Sequence, residues 1–291
     1  MDFLEMLANQ VERTNSLACV GLDTDPIKLP AEIQYQATLD ATEVWTTNWK
    51  MMKFNQKIVD ATYDLVCAYK PQFGFYGAQG AIGFQTLVET TEYIHKTYPG
   101  IPVILDAKIG DTKDTCEQYA KMVFETIGVD AVTLNPYIGP DGLQPFLAHK
   151  DKGCIIMCKT SNPSAATFQD LEVIVEKDPI KIMPLYQVVA LSVNRNWNSN
   201  KNCLLVVGAT YPREAVEIRG IVDDEMTLLV PGLGAQGAPV KAAVQSCLNK
   251  QGTGAIFNSS RGIIYASDGP DYAWAAREAT MKLMDEINKY R

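Results

Sequence analysis

Eight short apolar runs recur along the chain, and stretches with helical periodicity separate them. Each run has the length of a β-strand, and almost every position in it is apolar or β-branched, which is typical of strands buried on both faces. The runs are Leu17–Asp23, Pro71–Tyr76, Val103–Lys108, Ala131–Asn135, Cys154–Lys159, Cys203–Gly208, Thr227–Pro231 and Ala255–Asn258.

Amphipathic patterns with helix start and stop signals lie between these runs, most clearly at Thr112–Ile127, Pro239–Asn249 and Tyr272–Tyr290. Alternating strands and helices predict parallel βαβ units. Eight such units without a long linker favour a single (β/α)₈ TIM barrel, one α/β catalytic domain over residues 1–291, rather than a doubly wound open sheet.

Two segments are longer than the barrel units require. One runs from Asp25 to about Ala68, after the first strand, and the other runs from Ser161 to Asn202, after the fifth. We expect extra helices or lids in both insertions. In a barrel they would follow the carboxyl ends of strands, where active sites form.

Composition indicates which partners and which cellular compartment to expect. The 26 Lys and Arg residues against 34 Asp and Glu residues give a net charge of −8, which argues against nucleic acid and anionic membranes as partners. The acidic start Met1-Asp2-Phe3-Leu4-Glu5 is unlike a signal peptide, and no apolar run approaches the ~18 residues of a membrane span. Seven cysteines without a CxxC motif, beside two histidines, argue against a zinc site and favour a reducing compartment, so we expect a cytoplasmic protein.

Three ionisable residues follow the apolar part of the third predicted strand, in the order Asp106, Lys108, Asp111. Residues i and i+2 of a strand share a face, so Asp106 and Lys108 are predicted to project together at its carboxyl end. The alternative is a surface ion pair followed by a helix start at Asp111 or Thr112. The preceding Val-Ile-Leu favours a functional site, because an unpaired charge beside a buried strand is costly.

Two more polar residues stand next to strands. Lys70 lies just ahead of the second predicted strand, and Asp23 ends the first. Each has an ordinary alternative, a solvated lysine and an Asx turn.

Two loops near the carboxyl terminus carry features of an anion site. Val230-Pro-Gly-Leu-Gly-Ala-Gln-Gly237 follows the seventh predicted strand, and Asn258-Ser-Ser-Arg-Gly262 follows the eighth. Loops after strands seven and eight are the usual phosphate site of barrels, and the Arg261 guanidinium can bind phosphate oxygens in pairs. We therefore expect a phosphomonoester ligand.

In order along the chain, these segments resemble the orotidine 5′-phosphate decarboxylase family over nearly its whole length. The D-x-K-x-x-D segment alone is shared with related phosphosugar barrels, whereas the ordered set is highly specific. The matching segments are Gly21-Leu-Asp23, Tyr69-Lys-Pro-Gln72, Leu105-Asp-Ala-Lys108 through Asp111 and Thr115, Asn135-Pro-Tyr137, Thr160-Ser-Asn-Pro163, Val230 to Gly237, and Ser260-Arg261.

The resemblance implies decarboxylation of orotidine 5′-monophosphate to UMP and CO₂, the last step of de novo UMP synthesis, without a metal or other cofactor. It implies a catalytic array of Lys70, Asp106, Lys108 and Asp111, with Lys108 donating a proton to C6. It also implies a homodimer in which Asp111 and Thr115 reach the partner's site. The substrate-binding residues it implies are Asp23 and Thr115 for the ribose, Thr160 and Ser161 for the pyrimidine, and Gln236 and Arg261 for the phosphate.

The chain departs from the commonest family pattern at Ile109 and Thr112, where a basic and an aliphatic residue are frequent. These departures bear on how a dimer packs around the pyrimidine. Three other functions remain open from the sequence: a magnesium-dependent hexulose-phosphate synthase-like enzyme, an aldolase that forms a Schiff base through Lys108, and a catalytically silent nucleotide-binding barrel.

Overall fold

A computed structural model describes residues 1–40, 46–233 and 240–291. Eight parallel strands form its central sheet, and two further strands form a separate antiparallel hairpin. The sheet strands are β1 (Ala18–Leu22), β2 (Ala68–Pro71), β3 (Ile104–Ile109), β4 (Ala131–Leu134), β5 (Gly153–Lys159), β8 (Cys203–Val207), β9 (Leu228–Pro231) and β10 (Ala255–Ser259). The hairpin strands are β6 (Glu172–Lys177) and β7 (Ile180–Pro184).

The sheet closes on itself. Its strand order is β2-β1-β10-β9-β8-β5-β4-β3, and parallel bridges Tyr69–Val103 and Gln72–Asp106 join the two outer strands. Helices separate the strands along the chain. The predicted TIM barrel is confirmed.

The helices vary in length from four to 18 residues. They are α1 (Phe3–Thr14), α2 (Ala31–Asp40), α3 (Thr46–Thr62), α4 (Phe73–Gly77), α5 (Gly80–Thr97), α6 (Lys113–Lys121), α7 (Pro140–Leu147), α8 (Ala166–Gln169), α9 (Leu185–Ser192), α10 (Pro212–Arg219), α11 (Val240–Cys247), α12 (Arg261–Ile264) and α13 (Tyr272–Lys289). Single-turn π-helices cover Met122–Ile127 and Val193–Trp197, and 3₁₀ turns cover Pro26–Lys28 and Pro136–Ile138. In the described part of the chain, no helix is long and apolar enough to cross a bilayer.

Helix α1 closes one end of the barrel. Asp2 caps it, because its carboxylate accepts from the Glu5 backbone N–H at 2.9 Å. The Glu5 carboxylate in turn accepts from the Asp2 backbone N–H. Phe3 and Leu7 then pack against inward-facing strand residues such as Ile155, in a cluster inside the barrel. Since this apolar layer fills the amino end, a polar site fits only at the carboxyl ends of the strands.

The second strand was predicted in the wrong place. The strand is Ala68–Pro71, and the predicted run Pro71–Tyr76 mostly forms α4. The Gln72 side chain accepts from the Gly74 backbone N–H at 2.6 Å and so starts the helix directly after the strand. Lys70 therefore lies within β2 rather than ahead of it.

Both insertions contain the expected extra helices. The first holds α2 and α3, and the second holds α8 and α9. The hairpin β6–β7 in the second insertion was not predicted. All seven cysteines are buried and unpaired, in keeping with their apolar sequence surroundings.

A buried amide fastens the first insertion to the barrel. Asn55 on α3 accepts from the Thr24 hydroxyl at 2.6 Å and donates to the hydroxyls of Tyr76 and Thr90, each at 3.0 Å. The Tyr76 hydroxyl in turn donates to the Leu22 carbonyl at 3.1 Å. This network fixes the end of β1, from which Asp23 projects.

Asn55→Ala is expected to lower the free energy of unfolding by about 2–4 kcal/mol, because it removes the acceptor of the buried Thr24 hydroxyl and the donor to the buried hydroxyls of Tyr76 and Thr90. Thermal melting measures the change. Asn288→Ala serves as the control and should shift the melting temperature little, because Asn288 is a partly exposed asparagine that donates to the Asn15 carbonyl. Equal shifts for the two variants would show that the network contributes no particular stability.

Candidate functional site

A polar cavity of about 350 Å³ opens at the carboxyl ends of the barrel strands. Strand ends and the loops after β5, β9 and β10 form its wall. The lining residues are Asp23, Lys70, Asp106, Lys108, Thr133, Met157, Thr160, Ser161, Asn162, Val206, Leu229, Pro231, Gly232, Leu233, Asn258, Ser259, Ser260 and Arg261.

Asp106 lies between two lysines in this wall. Its Oδ2 is 2.9 Å from Lys70 Nζ, and its Oδ1 is 2.5 Å from Lys108 Nζ. The Thr133 hydroxyl also donates to Oδ1, at 3.0 Å. The Lys70 side chain is 3% exposed and that of Lys108 is 44% exposed, so Lys108 is much the more accessible of the two to a ligand.

Burial and charge act in opposite directions on this array. Burial alone would lower the pKa of Lys70, but the charges of Asp106 and Asp23 outweigh it, and that pKa lies above its ordinary value. Burial would likewise raise the pKa of Asp106, but Lys70 and then Lys108 hold it well below its ordinary value. Lys70 and Asp106 are therefore both ionised at neutral pH.

The backbone around Lys108 is irregular, contrary to the predicted strand alternation. The register of β3 against β4 shifts between Leu105 and Ile109, and Lys108 has a φ of 51°. The Thr133 hydroxyl accepts from the backbone N–H groups of Ala107 and Lys108, both at 2.9 Å, in place of regular ladder partners. A non-glycine residue in this conformation costs roughly 1–3 kcal/mol, a strain typical of functional sites. The bulge directs Lys108 towards Asp106 and the cavity.

Arg261 lines the same cavity from the start of α12. It is exposed and lies two residues after the end of β10, and among the described residues no carboxylate pairs with its guanidinium. Gly232 adds backbone to the same wall with a φ of 102°, which glycine adopts without strain. Gln236, predicted to bind phosphate with Arg261, lies outside the described residues. A cation and accessible backbone at this position suit an anionic group.

Asp23 presents an unused acceptor. Its Oδ1 is buried without a hydrogen-bond partner among the residues described, while the Asp23 side chain lines the cavity. The Tyr265 hydroxyl fixes the adjoining backbone, since it donates to the Asp23 carbonyl at 3.3 Å and accepts from the Asp25 N–H at 2.7 Å. A buried carboxylate oxygen without a donor suits a ligand hydroxyl.

No group of three or more His, Cys, Asp or Glu side chains converges on a common point within the described ranges. Asp106, a carboxylate of the cavity, is already engaged by two lysines. The arrangement suits an organic anion whose charge faces Lys108 or Arg261.

Residues 17–276 match the family model described as the orotidine 5′-phosphate decarboxylase / HUMPS family. The chain belongs to this family. It is 46% identical over 291 residues, 100% of both chains, to the orotidine 5′-phosphate decarboxylase of Cellvibrio japonicus. The resemblance read from the sequence motifs is confirmed.

Solved structures agree with the family assignment. Leishmania donovani OMP decarboxylase superposes with a TM-score of 0.81 at 33% identity, covering 100% of this chain and 98% of that one. Leishmania donovani UMP synthase gives a TM-score of 0.83 at 34% identity, and this chain covers 56% of its length.

The cavity brings together seven of the ten residues that the family motifs indicated: Asp23, Lys70, Asp106, Lys108, Thr160, Ser161 and Arg261. Asp111 and Thr115 do not line it. The Asp111 carboxylate accepts from the Thr112 N–H at 2.7 Å, and Thr115 is exposed on α6. Their action across a dimer stays a prediction.

Among the other polar residues of the cavity, Thr133, Asn162 and Asn258 were given no role from the sequence. Thr133 and Asn258 are 1% and 4% exposed in strands that are otherwise almost entirely apolar. A polar residue inside a run that should be fully buried is a usable signal, because such a group needs a partner. Asn162 follows Thr160 and Ser161 in a loop and carries no comparable signal.

Proposed function

We propose that this protein decarboxylates orotidine 5′-monophosphate to UMP and CO₂, as the last step of de novo pyrimidine synthesis. The observation that carries the proposal is the Lys70–Asp106–Lys108 array, which opens into a cavity that Arg261 also lines. Family membership supports the same conclusion. We further propose that residues 1–291 act as one catalytic domain in the cytoplasm.

Lys108 is the proposed proton donor. In the reaction the bond between C6 and the carboxylate carbon breaks, and its electron pair stays on C6. A proton from Lys108 Nζ then forms the C6–H bond, and Lys108 regains a proton from water. Because the carbanion has little resonance support, an adjacent ammonium group stabilises the charge as it develops.

Asp106 has two proposed functions. It holds the Lys108 ammonium group in place through the contact at 2.5 Å. It also faces the substrate carboxylate, and two like charges 4 Å apart repel by roughly 4 kcal/mol at an effective dielectric constant near 20. We assign the larger part of the acceleration to Lys108, because interactions that strengthen only in the transition state raise kcat.

The remaining cavity residues are proposed to hold the substrate. Asp23 would accept from a ribose hydroxyl with its unpaired Oδ1. Thr160 and Ser161 would bind the pyrimidine edge, and Arg261 with Gln236 would bind the phosphate. Binding energy from the distant phosphate contributes to the rate when it orders loops around the base.

We also propose a homodimer in which Asp111 and Thr115 complete the partner's site. Large apolar side chains are exposed near Asp111: Tyr137 is 81% and Ile138 is 46% exposed. Both belong to the turn before α7, and the Asp111 carbonyl lies so close to this helix that a Cβ on Gly142 would be 2.5 Å from it. An exposed apolar surface beside the two residues supports an interface there.

A mixture of Lys108→Ala and Asp111→Ala subunits tests the shared site. Neither variant alone should turn over substrate, but random pairing of equal amounts restores about a quarter of the sites in a two-fold dimer. Activity after mixing, unfolding and refolding is the measurement. Inactivity of a verified mixed dimer would show that Asp111 does not act across the interface.

The primary test is the loss of orotidylate absorbance when purified protein meets orotidine 5′-monophosphate in the presence of EDTA. Turnover is expected, and its absence would overturn the proposal. A magnesium-dependent relative would be inhibited by the chelator, and a Schiff-base aldolase would be trapped by borohydride with its substrate. A silent nucleotide-binding barrel would bind UMP without turnover.

A further inference from the structure

We propose that Gln169 is a positioning residue for pyrimidine recognition, acting through Thr160 and Ser161. The inference rests on the proposed function, because it takes the residues after β5 to bind the nucleobase. Gln169 itself ends α8 and does not line the polar cavity. Its side chain instead binds Thr160, which does.

The Gln169 amide binds the same residue with both of its ends. Its Oε1 accepts from the Thr160 backbone N–H at 2.9 Å, and its Nε2 donates to the Thr160 hydroxyl at 2.7 Å. Since a backbone N–H can only donate, the first bond fixes which end of the amide is oxygen. The second bond then fixes Thr160 Oγ1 as an acceptor.

This arrangement determines where the Thr160 hydroxyl proton points. With its oxygen occupied by Nε2, the hydroxyl donates to Asn162 Oδ1 at 2.6 Å. The Asn162 amide continues the direction by donating to Ser164 Oγ at 3.1 Å. The donors and acceptors of the loop are thus oriented before a base arrives, which reduces the cost of ordering on binding.

The next residue, Asp170, also restrains the end of β5. Asp170 forms an ion pair with Lys159, the last residue of β5, whose side chain is fully buried. Lys159 Nζ also lies 5.2 Å from the ring centre of Tyr186 and 4.5 Å from that of Tyr211. Gln169 and Asp170 therefore hold two consecutive residues at the end of the strand.

Gly208 restricts Ser161 from another side. Its N–H donates to the Lys159 carbonyl at 2.8 Å, and a Cβ added there would lie 2.8 Å from the N, Cα and Cβ atoms of Ser161. Only a residue without a side chain allows this approach. Ser161 therefore lies between the backbone at Gly208 and Thr160, which Gln169 binds. Ser161 is also part of the cavity wall.

Gln169→Ala tests the inference through two ligands. Inhibition constants would be measured for UMP, which carries the base, and for ribose 5-phosphate, which does not. We expect about tenfold weaker binding of UMP, the size of effect typical of hydrogen bonds in a buried network, and less than a twofold change for ribose 5-phosphate. Equal weakening of both ligands, or of neither, would overturn the inference.

Gln187→Ala is the matched control. Gln187 is a glutamine on α9 that also makes two side-chain hydrogen bonds, to Tyr186 and Glu217, away from the cavity. It should leave both constants unchanged. Gln169→Glu keeps the acceptor for the Thr160 N–H and lets the Thr160 hydroxyl donate to the carboxylate instead, so a partial loss is expected.

A double-mutant cycle separates positioning from general destabilisation. In a Thr160→Val/Ser161→Ala background, Gln169→Ala should no longer weaken UMP binding, whereas a purely structural effect would persist. Turnover of orotidine 5′-monophosphate by the unsubstituted protein is measured alongside. An active protein whose Gln169→Ala variant binds UMP normally would refute this inference alone, whereas a protein that binds UMP without turnover would refute the proposed function.

Discussion

Lys108→Ala is expected to lower kcat by roughly 10⁴-fold or more while UMP still binds. The substitution removes a proton donor, worth about 10²–10⁴-fold, and a cation beside the developing charge, worth about 10²–10³-fold. Lys70 cannot replace it, because the Lys70 ammonium is buried and bound to Oδ2 of Asp106, the carboxylate oxygen that Lys108 does not contact. Steady-state kinetics and UMP inhibition measure the two effects separately.

Arg261→Ala provides the contrast, since it should mainly raise KM and weaken UMP binding. Lys150→Ala, an exposed lysine after α7, should change neither parameter. Equal kinetic defects in the Lys108 and Arg261 variants would contradict the separate roles assigned to them. A Lys108→Ala enzyme with substantial turnover would exclude Lys108 as the proton donor.

The sequence located the proposed catalytic segment but not its geometry. Two charges two residues apart after an apolar run predicted a shared face on a regular strand, yet the structure joins Lys108 to Asp106 through a bulge at a φ of 51°. The bulge depends on the Thr133 hydroxyl, which lies 25 residues further along the chain. Local alternation carries no information about such a contact.

The error at the second strand has a related cause. Apolar periodicity does not distinguish a short strand from the first turn of a buried helix, and the run after Pro71 was read as a strand. A helix begins here because the Gly74 N–H donates to the Gln72 side chain. A capping residue at a strand end is therefore as informative as the apolar pattern.

Residues adjacent to strand ends were predictable because parallel strands bring their carboxyl ends to one side. Asp23 and Arg261 were identified in this way, whereas Lys70 was expected ahead of its strand and Ser161 came from the family resemblance. All four line one cavity. Gln169 was not identified, because its partner Thr160 is reached only after the intervening loop folds back. The hairpin β6–β7 was missed because its apolar positions do not share one buried face, since Ile174 and Ile182 are exposed beside charged residues.

Asp106→Asn is expected to lower the melting temperature by roughly 6 to 15 °C, which corresponds to about 3–5 kcal/mol, because it leaves Lys70 buried without its main counter-charge. Asp23 remains as a weaker partner. Asp64→Asn removes a surface carboxylate that binds Arg277 at 2.6 and 2.8 Å and is 42% exposed. As the control, it should cost about 1 kcal/mol or less.

The pH dependence of this loss identifies the buried ammonium as its cause. In the unsubstituted protein the lowered pKa of Asp106 gives stability that is present above its unfolded value and lost in acid. The raised pKa of Lys70 gives stability that is present below its unfolded value and lost in alkali.

In the Asp106→Asn variant, burial acts on Lys70 with less opposition, so the folded pKa of Lys70 falls below its unfolded value. The unfolded chain then binds more protons than the folded one. Stability of the variant should therefore rise as the pH approaches the unfolded pKa of a lysine, about 10.4, and the difference in melting temperature should narrow between about pH 8 and pH 10. A difference that stays constant over this range would mean that lost packing, rather than an uncompensated charge on Lys70, accounts for the destabilisation.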